Sequence, residues 1–329
     1  MVSWPPVGSL GRTSRIVAIA PNPSLDRVAV APGAVHGGTV RATEYEDTPG
    51  GKALHVVLVA QELGADVQLV APLGGPRGAR VLELLEDERV PTVATQIADE
   101  TRGTYIVVDP DVGEVLEVIE PAPTLTAAEF DRFLAATRAA ISQATIVAIS
   151  GSLASGIPDS FVATVIRLGR EAGALTLVDV HGDTLVAALS AEPDLVKPNL
   201  SEARSLTGDT ADEAAPLHEL ADLATDIASR GARAVWLSLG DRGSILVDDG
   251  AVWRLEVEPG PAVSAVGCGD ALLGGLAAGL ARGDSPVDAA RLGAAAAADK
   301  LTRAHPGRVE RSGVEAALSR VSASRIARR

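Results

Sequence analysis

A glycine-rich turn that leads into a small-residue helix is the feature that most constrains this chain. The stretch runs SAVGCGDALLGGLAAGL over residues 264–280. Gly267 and Gly269 bracket Cys268, so a tight turn can present backbone N–H groups at the positive end of a helix, which is an anion site. Asp270 stands where the helix starts and can cap it, or can act as a base towards a bound group. A capped, buried helix with small residues for close packing is the alternative.

Composition limits the possible folds and partners. The chain has 329 residues, of which 47% are hydrophobic and only 2% aromatic, so a large core must be built from aliphatic side chains. The formal net charge of −14 argues against nucleic-acid binding, which needs a basic surface. Asp270 interrupts an apolar run that is already short for a membrane span. The lone Cys268 excludes an intrachain disulfide and a multi-cysteine metal site, which fits a reducing cytoplasm.

Apolar runs alternate with amphipathic segments along most of the chain. This alternation predicts an α/β fold with a mostly parallel sheet that helices cover on both faces. Two polar stretches, at about 28–48 and 92–119, break the rhythm and predict short strands that form a small lid. We expect residues 14–320 to form the domain, between a loose leader at 1–13 and a basic tail at 321–329.

Two segments in the first part of the chain carry candidate binding residues. Loops after strand ends bind ligands in α/β proteins, so Asp26, which follows the apolar run 16–20, is a candidate for binding hydroxyls. An Asp that only holds a turn is the alternative. Gly50-Gly51-Lys52 opens an amphipathic helix and forms a second possible anion site, although it lacks the spacing of a P-loop. Lys52 as a solvated residue at a helix start is the alternative there.

Seven motifs in order resemble the phosphofructokinase B family of sugar kinases, which has the ribokinase-like fold. The motifs are Asn22-Pro23-Ser24-Leu25-Asp26, Gly50-Gly51-Lys52, Thr101-Arg102, Ser150-Gly151-Ser152-Leu153, Val196-Lys197-Pro198-Asn199-Leu200-Ser201-Glu202, Ser238-Leu239-Gly240 and Gly267-Cys268-Gly269-Asp270. The resemblance extends from about Ile16 to Leu318 and is nearest to the branch with 1-phosphofructokinase, tagatose-6-phosphate kinase and the minor 6-phosphofructokinase. It implies a three-layer αβα sandwich with a β-sheet lid, and a kinase that uses ATP and Mg²⁺.

The resemblance also implies a role for each site residue. Asp270 would be the catalytic base, and Gly267, Cys268 and Gly269 would form its anion hole. Asn199 and Glu202 would organise the nucleotide phosphates and, indirectly, magnesium. Lys197, Ser238, Gly240 and Gly243 would line the nucleotide side. The acceptor sugar would contact Asp26, Arg41, Gly50, Gly51, Lys52, His55, Arg102 and Ser152.

The chain departs from the family pattern next to the lysine motif. The family usually continues with Gly, a variable residue and Asn, whereas this chain has Ala53, Leu54 and His55. An Asn amide offers a sugar hydroxyl both a donor and an acceptor, whereas a protonated imidazole offers donors only. This puts the substrate in question, and a His55 that is simply a satisfied helix residue is the alternative. Cys268 stands where the family most often has Ala, and both residues are small enough for the turn.

Three cations indicate an acceptor that carries its own phosphate. Arg41, Lys52 and Arg102 would converge if the lid folds over the sheet, and clustered cations facing neutral hydroxyls would be costly to desolvate. A phosphate offers them charge-assisted hydrogen bonds. In the alternative arrangement, the two arginines only pair with acidic neighbours, which are Glu44, Glu46, Asp99 and Glu100.

The sequence therefore favours an ATP-dependent kinase for a phosphorylated ketohexose, such as fructose 1-phosphate, fructose 6-phosphate or tagatose 6-phosphate. A kinase for an unphosphorylated sugar or nucleoside and a non-catalytic sugar-phosphate sensor remain alternatives. A dinucleotide-dependent dehydrogenase lacks its glycine motif after the first strand. We expect ATP and a sugar phosphate as partners, with neither nucleic acid nor membrane. A second copy of the chain should pair through the lid, because a small sheet is seldom left uncovered.

Overall fold

The computed structural model describes Trp4 and residues 14–34, 37–209 and 215–326. Within these residues the strands form one ten-stranded sheet and one four-stranded sheet. This confirms the predicted α/β fold with a large, mostly parallel sheet and a smaller separate one. The predicted leader lies outside the described residues except for Trp4, whose indole N–H donates a 2.7 Å hydrogen bond to Asp248.

The large sheet consists of seven parallel strands and three antiparallel strands at one edge. The strands of both sheets, in chain order, are β1 Arg15–Ile19, β2 Ser24–Val30, β3 Glu44–Gly50, β4 Asp66–Gly74, β5 Thr92–Ile97, β6 Arg102–Asp109, β7 Glu114–Ile119, β8 Ile146–Ser150, β9 Leu175–Asp179, β10 Leu195–Val196, β11 Ala234–Ser238, β12 Ser244–Asp248, β13 Ala251–Val257 and β14 Val321–Arg325. The large sheet has the order β14-β13-β12-β11-β10-β9-β8-β1-β4-β5, with the strands from β11 to β5 parallel.

Helices cover both faces of the large sheet. They are α1 Lys52–Glu62, α2 Gly75–Asp87, α3 Ala127–Ile141, α4 Ser160–Ala172, α5 Asp183–Leu189, α6 Leu200–Thr207, α7 Leu217–Ser229, α8 Cys268–Ala281, α9 Pro286–Leu301 and α10 Arg311–Leu318. Ile16 and Ala18 belong to the core shared with α1, α2 and α8–α10, whereas Val17 and Ile19 belong to the core shared with α3–α7. Strands that are buried on both faces need consecutive apolar residues, and this is why the parallel strands appear as continuous apolar runs.

Helix α8 lies buried between α1 and α9, and its glycines permit the close contact. A Cβ atom on Gly275 would lie 2.7 Å from Cα of Gly293 in α9, and one on Gly274 would lie 2.8 Å from the backbone oxygen of Val56 in α1. The packing places the N-terminus of α8 next to that of α1. Across the described part of the chain, none of the helices has the length and apolarity that a membrane crossing requires.

The small sheet is the predicted lid, and its base lies beyond the carboxyl ends of the parallel strands of the large sheet. Its order is β3-β2-β6-β7, and Ser24 at the start of β2 pairs with both Gly50 and Arg102. Only the second part of the stretch 92–119 belongs to it, because Thr92–Ile97 pairs with β4 in the large sheet. A half-buried edge strand has the same polar and apolar alternation as a lid strand, so the pattern does not separate the two.

The predicted basic tail also differs from the expectation. Val321–Arg325 forms β14, which pairs with β13 at the antiparallel edge of the large sheet, while residues 327–329 lie outside the described part. Val321 is buried, but the other residues of β14 are polar, small or charged. Backbone hydrogen bonds to the edge strand β13 hold this segment in the sheet, and the side-chain pattern of the segment does not predict them.

Candidate active site

The predicted site residues lie at the carboxyl ends of neighbouring parallel strands. Asp179 ends β9 and Ser238 ends β11, while Lys197 follows β10 directly. Asn22 and Ser152 lie in the turns that follow β1 and β8, and the side-chain amide of Asn22 donates a 2.9 Å hydrogen bond to Oγ of Ser152. Ligands of open α/β sheets bind at this edge, so the fold itself gathers these side chains.

The glycine turn begins α8 as the sequence predicts. Gly267 has a φ of 82°, in the left-handed region, and the first helical hydrogen bond joins Ala271 N–H to the Gly267 carbonyl at 2.9 Å. The first-turn N–H groups of a helix have no partner within the helix, so they can face an anion. Asp270 is buried in this first turn. Burial raises the pKa of the Cys268 thiol to about 11, which keeps it neutral and makes it a packing residue.

A buried carboxylate joins the two lysines of the site. Nζ of Lys197 lies 3.1 Å from one oxygen of Asp179, and Nζ of Lys52 lies 3.3 Å from the other. Burial alone would raise the pKa of Asp179, which is 1% exposed, but Lys197 and Lys52 hold it below its ordinary value. A Cβ atom on Gly269 would lie 3.4 Å from Nζ of Lys197. The ammonium group of Lys197 therefore lies beside the glycine turn Gly267–Gly269, and Gly269 leaves it room.

His55 joins the predicted acceptor side to the start of α8. Its Nδ1 lies 2.7 Å from Oδ2 of Asp270, and its Nε2 lies 3.4 Å from Oδ2 of Asp26. The second contact has ion-pair distance but not hydrogen-bond alignment. Asp26 also accepts a 2.6 Å hydrogen bond from the Ser24 hydroxyl, and a Cβ atom on Gly50 would overlap its carboxylate. Gly50 is thus required for Asp26 to lie where it does.

Arg102 is held at the base of the lid by Asn22. Nε of Arg102 donates to Oδ1 of Asn22 at 3.1 Å, and Nη2 donates to the Asn22 backbone oxygen at 3.3 Å. Burial lowers the pKa of Arg102, while Asp26 and Glu117 raise it. The sequence marks Asn22 only as part of a motif and does not assign it to the site. Its place in the turn that follows β1 was the available signal.

Arg41 lies apart from this set of contacts. It is exposed on the segment between β2 and β3, and within the described part of the chain it has no ion pair or side-chain hydrogen bond. Among the described residues, neither Arg41 nor Arg102 forms the alternative ion pairs with the neighbouring acids. Glu46 faces His305 at 3.3 Å, and Glu100 faces Arg77 at 3.7 Å.

The residues predicted to line the nucleotide side meet where β10 and β11 end. Asn199 and Glu202 cap α6 reciprocally, with the Glu202 N–H donating to the Asn199 side chain at 2.8 Å and the Asn199 N–H donating to the Glu202 carboxylate at 2.9 Å. Asn199 also forms a parallel bridge with Ser238. Gly240 and Gly243 bound the turn after β11, and open space surrounds the Cα of Gly240.

Lys300 is a residue of the site region that sequence reasoning did not assign. It is 0% exposed, and its ammonium group donates 2.9 Å hydrogen bonds to the backbone oxygens of Ser264 and Arg303. Burial lowers its pKa to about 8. These bonds tie the segment before the anion turn to the end of α9. The signal was its rarity, because the chain has only three lysines.

Comparison with known proteins identifies the class to which this architecture belongs. Residues 20–309 match the pfkB family of carbohydrate kinases. The chain is 31% identical to ATP-dependent 6-phosphofructokinase isozyme 2 of Mycobacterium tuberculosis over 306 residues, which are 92% of this chain and 88% of that protein. The chain therefore belongs to the pfkB family of carbohydrate kinases.

Solved structures agree with this assignment. Phosphofructokinase-2 of Escherichia coli in complex with fructose-6-phosphate has a TM-score of 0.83 and 28% identity, and the match covers 93% of this chain and 98% of that one. The same protein is also described in a tetrameric inhibited form. A possible 1-phosphofructokinase of Thermotoga maritima shares the fold with a TM-score of 0.85 at 21% identity, over 95% of this chain and 100% of that one. This chain is thus a phosphotransferase with an alcohol acceptor on the ribokinase-like fold.

Proposed function

We propose that this kinase transfers the γ-phosphoryl group of ATP to a hydroxyl of a phosphorylated ketohexose, with Asp270 as the general base. The observation that supports this most strongly is that a glycine turn, a buried carboxylate and a lysine lie together at the start of α8, where Lys197 flanks Gly269. An anion turn beside a base is the arrangement that phosphoryl transfer to a hydroxyl requires. Use of ATP as the donor is in keeping with a cytoplasmic enzyme.

The reaction needs positioning and charge stabilisation more than covalent chemistry. The acceptor oxygen bonds to the γ-phosphorus while the bond from that phosphorus to the bridging oxygen breaks, the hydroxyl proton passes to Asp270, and ADP leaves. Because the transition state is loose, the charge on the transferred group is the main demand. The turn offers the backbone N–H groups of Gly267 and Gly269, while that of Cys268 donates to the Ala265 oxygen at 3.1 Å. Lys52 and Lys197 offer two positive charges that Asp179 holds in place.

Magnesium fits this site as a companion of the nucleotide. Among the described residues, no group of three His, Cys, Asp or Glu side chains could hold a metal ion. Mg²⁺ keeps several waters and binds through one or two protein groups plus substrate phosphates, where it neutralises phosphate charge. Glu202 uses one oxygen in the α6 cap, so its other oxygen can accept from a magnesium-bound water, while the Asn199 amide nitrogen can donate to a phosphate oxygen.

The acceptor phosphate is the part of the proposal that concerns specificity. Arg102 has five N–H donors and uses two of them on Asn22, which leaves three for an anion. Asn22 orients the guanidinium towards the acceptor side, near Asp26. The Escherichia coli relative was solved with fructose-6-phosphate, which supports a ketohexose phosphate here. The exposed Arg41 would join this set only if its segment closes over a bound sugar.

Replacing Asp270 by Asn tests the base. The substitution keeps the size of the side chain but removes its ability to accept a proton, so turnover should fall by at least about 10²- to 10⁴-fold while ATP binding persists. Steady-state kinetics and nucleotide titration measure the two effects. Asp288→Asn is the matched control, because Asp288 is an exposed carboxylate in the first turn of the neighbouring helix α9. A variant that keeps most of its turnover would remove Asp270 from the mechanism.

A substrate panel tests the acceptor. Among fructose 6-phosphate, fructose 1-phosphate, tagatose 6-phosphate, fructose, ribose and adenosine, a phosphorylated sugar should have the highest kcat/KM. Arg102→Ala should raise the KM for that sugar by about 10- to 100-fold, the loss expected for a hydrogen bond to a charged group, with a much smaller change for ATP. Arg80→Ala is the control, since Arg80 is an exposed residue paired with Glu83. A neutral acceptor as the best substrate, or an unchanged sugar KM, would favour the unphosphorylated-sugar kinase.

We also propose that two copies pair through the outward face of the lid. Tyr45, Leu116 and Val118 on that face are 71%, 48% and 52% exposed. Tyr45 and Leu116 lie in one cross-strand row, joined by Ala29 and Val107, and Val118 neighbours Tyr105 in the next row. An apolar sheet face of this kind favours a self-complementary contact.

Light scattering of the full chain tests the pairing. We expect twice the chain mass at micromolar concentration, and we expect Val118→Asp to give the single-chain mass because it buries a charge in the contact. Val186→Asp is the matched control, since Val186 in α5 is 54% exposed and lies outside the lid. A monomeric wild-type protein, or a Val118→Asp protein that stays paired, would contradict the interface.

A further inference from the structure

The histidine of α1 touches carboxylates that serve different parts of the proposed reaction. The Nδ1 atom of His55 lies 2.7 Å from Asp270, the proposed base, and its Nε2 atom lies 3.4 Å from Asp26, on the acceptor side. The ring is 5% exposed, so water does not replace either contact. One buried ring therefore spans the gap between the residue that binds the acceptor and the residue that takes its proton.

The proton count of this cluster favours a charged ring. A neutral imidazole has one N–H donor and one lone pair, whereas two ionised carboxylates offer acceptors only. Only the imidazolium can present a donor to both sides, because the neutral ring would turn a lone pair towards one carboxylate. Burial alone would lower the pKa of His55, but its close contacts with the negative charges of Asp26 and Asp270 raise it to about 9.

Other charged groups lie around the cluster and also affect the protonation of His55. Glu117 of β7 adds a third negative charge near His55 and Asp26. Arg102 of β6 lies near Asp26 and Glu117. Lys52, at the start of α1, interacts electrostatically with Asp270 while it pairs with Asp179. On the remaining side the neighbour is the uncharged backbone of Gly307, where a Cβ atom would lie 2.9 Å from the His55 ring. The acids facing His55 thus outnumber the cations facing it.

We propose that His55, as an imidazolium, is a positioning residue that couples the acceptor-binding carboxylate of Asp26 to the base Asp270. It fixes Oδ2 of Asp270 and leaves Oδ1 to face the acceptor hydroxyl. It also holds Asp26 from the side opposite Ser24, which donates to the other oxygen. This role rests on the proposed function, in which Asp270 accepts the hydroxyl proton. His55 keeps its own proton throughout turnover.

The role makes activity depend on the proton of His55. When the ring deprotonates, one carboxylate loses its donor and faces a lone pair, so kcat/KM for the acceptor should fall on the alkaline side. Lys300, with its pKa lowered to about 8, and the Cys268 thiol, with its pKa raised to about 11, also titrate near the turn. A direct measurement on His55 is therefore needed beside the kinetic one.

Nuclear magnetic resonance of the full chain, isotope-labelled on its five histidines, measures that titration. The signal lost in His55→Asn, or in His55→Gln, identifies the residue. We expect its pKa to lie at least about one unit above the ordinary value of about 6.5. Asp26→Asn and Asp270→Asn should each lower it, because each removes one negative charge. A smaller elevation in the wild-type protein, or a value that neither variant lowers, would overturn the proposal.

Two variants, each of which keeps one of the two donor positions of the ring, separate the contact with Asp270 from the contact with Asp26 kinetically. The amide nitrogen of Asn can replace Nδ1, so His55→Asn keeps a donor for Asp270 and should chiefly raise the acceptor KM. The amide nitrogen of Gln reaches the place of Nε2, so His55→Gln should chiefly lower kcat, by about tenfold or more, because the base is misplaced. Neither amide titrates, so both variants should lose the alkaline fall of the wild-type profile that begins near the His55 pKa.

Both variants keeping that alkaline fall would mean that His55 only fills space, and would overturn the positioning role. Failure of this inference is distinguishable from failure of the proposed function. An ordinary His55 titration in an active sugar-phosphate kinase refutes the inference alone. No ATP consumption with any sugar phosphate refutes the proposed function, while the resonance experiment still decides the state of His55.

Discussion

Three carboxylates that lie almost out of solvent at one edge of the sheet impose the main physical constraint on this protein. Asp26, Asp179 and Asp270 each have a side chain that is at most 8% exposed. A buried charge without a partner is strongly destabilising, so each must be matched by a cation or by hydrogen bonds. His55 serves two of them, and Lys52 and Lys197 serve the third. The glycines of the site follow from the same constraint, because Gly50 leaves room for the carboxylate of Asp26.

The cations that neutralise these acids are also the groups that an anionic substrate needs. Lys197 lies beside the turn at Gly269 while it pairs with Asp179, so its position is set before any phosphate binds. Preorganised charge of this kind stabilises a transition state without reorganisation during the reaction. Lys300 holds the segment before the turn in place, because its ammonium group donates a hydrogen bond to the Ser264 backbone oxygen. Stability and proposed catalysis therefore depend on the same few ionic contacts.

The fold could be predicted from sequence wherever side-chain pattern reflects burial. Runs such as Ile16–Ala20 are apolar because helices cover both faces of the sheet, and that pattern is visible without a structure. Thr92–Ile97 and Val321–Arg325 lie at the two edges of the large sheet. Edge pairing is made by backbone groups that every residue carries, so the sequence did not reveal which sheet takes the first segment or that the second forms a strand at all.

The site could be predicted only where one local motif carries the chemistry. The turn Gly267–Gly269 and its helix are local, and the structure has them as expected. The contact between His55 and Asp270 joins residues 215 positions apart and depends on how α1 packs against α8. Sequence reasoning could mark His55 as unusual, but it could not supply that neighbour. Arg41 shows the converse, because its charge suggested convergence while its segment lies exposed.

The pH dependence of folding stability tests most directly whether a buried imidazolium holds the carboxylates of this site. Because the pKa of folded His55 is raised to about 9, its contribution is complete below the unfolded value of about 6.5 and is lost as pH rises towards 9. Between about pH 6.5 and 8 the free energy of unfolding of the wild-type protein relative to His55→Asn should fall by about 1.6 kcal/mol, and Lys300, which titrates in both proteins, cancels in this difference. Urea denaturation at several pH values measures this difference, and the other histidines cancel in it. A difference that does not change with pH would contradict the account.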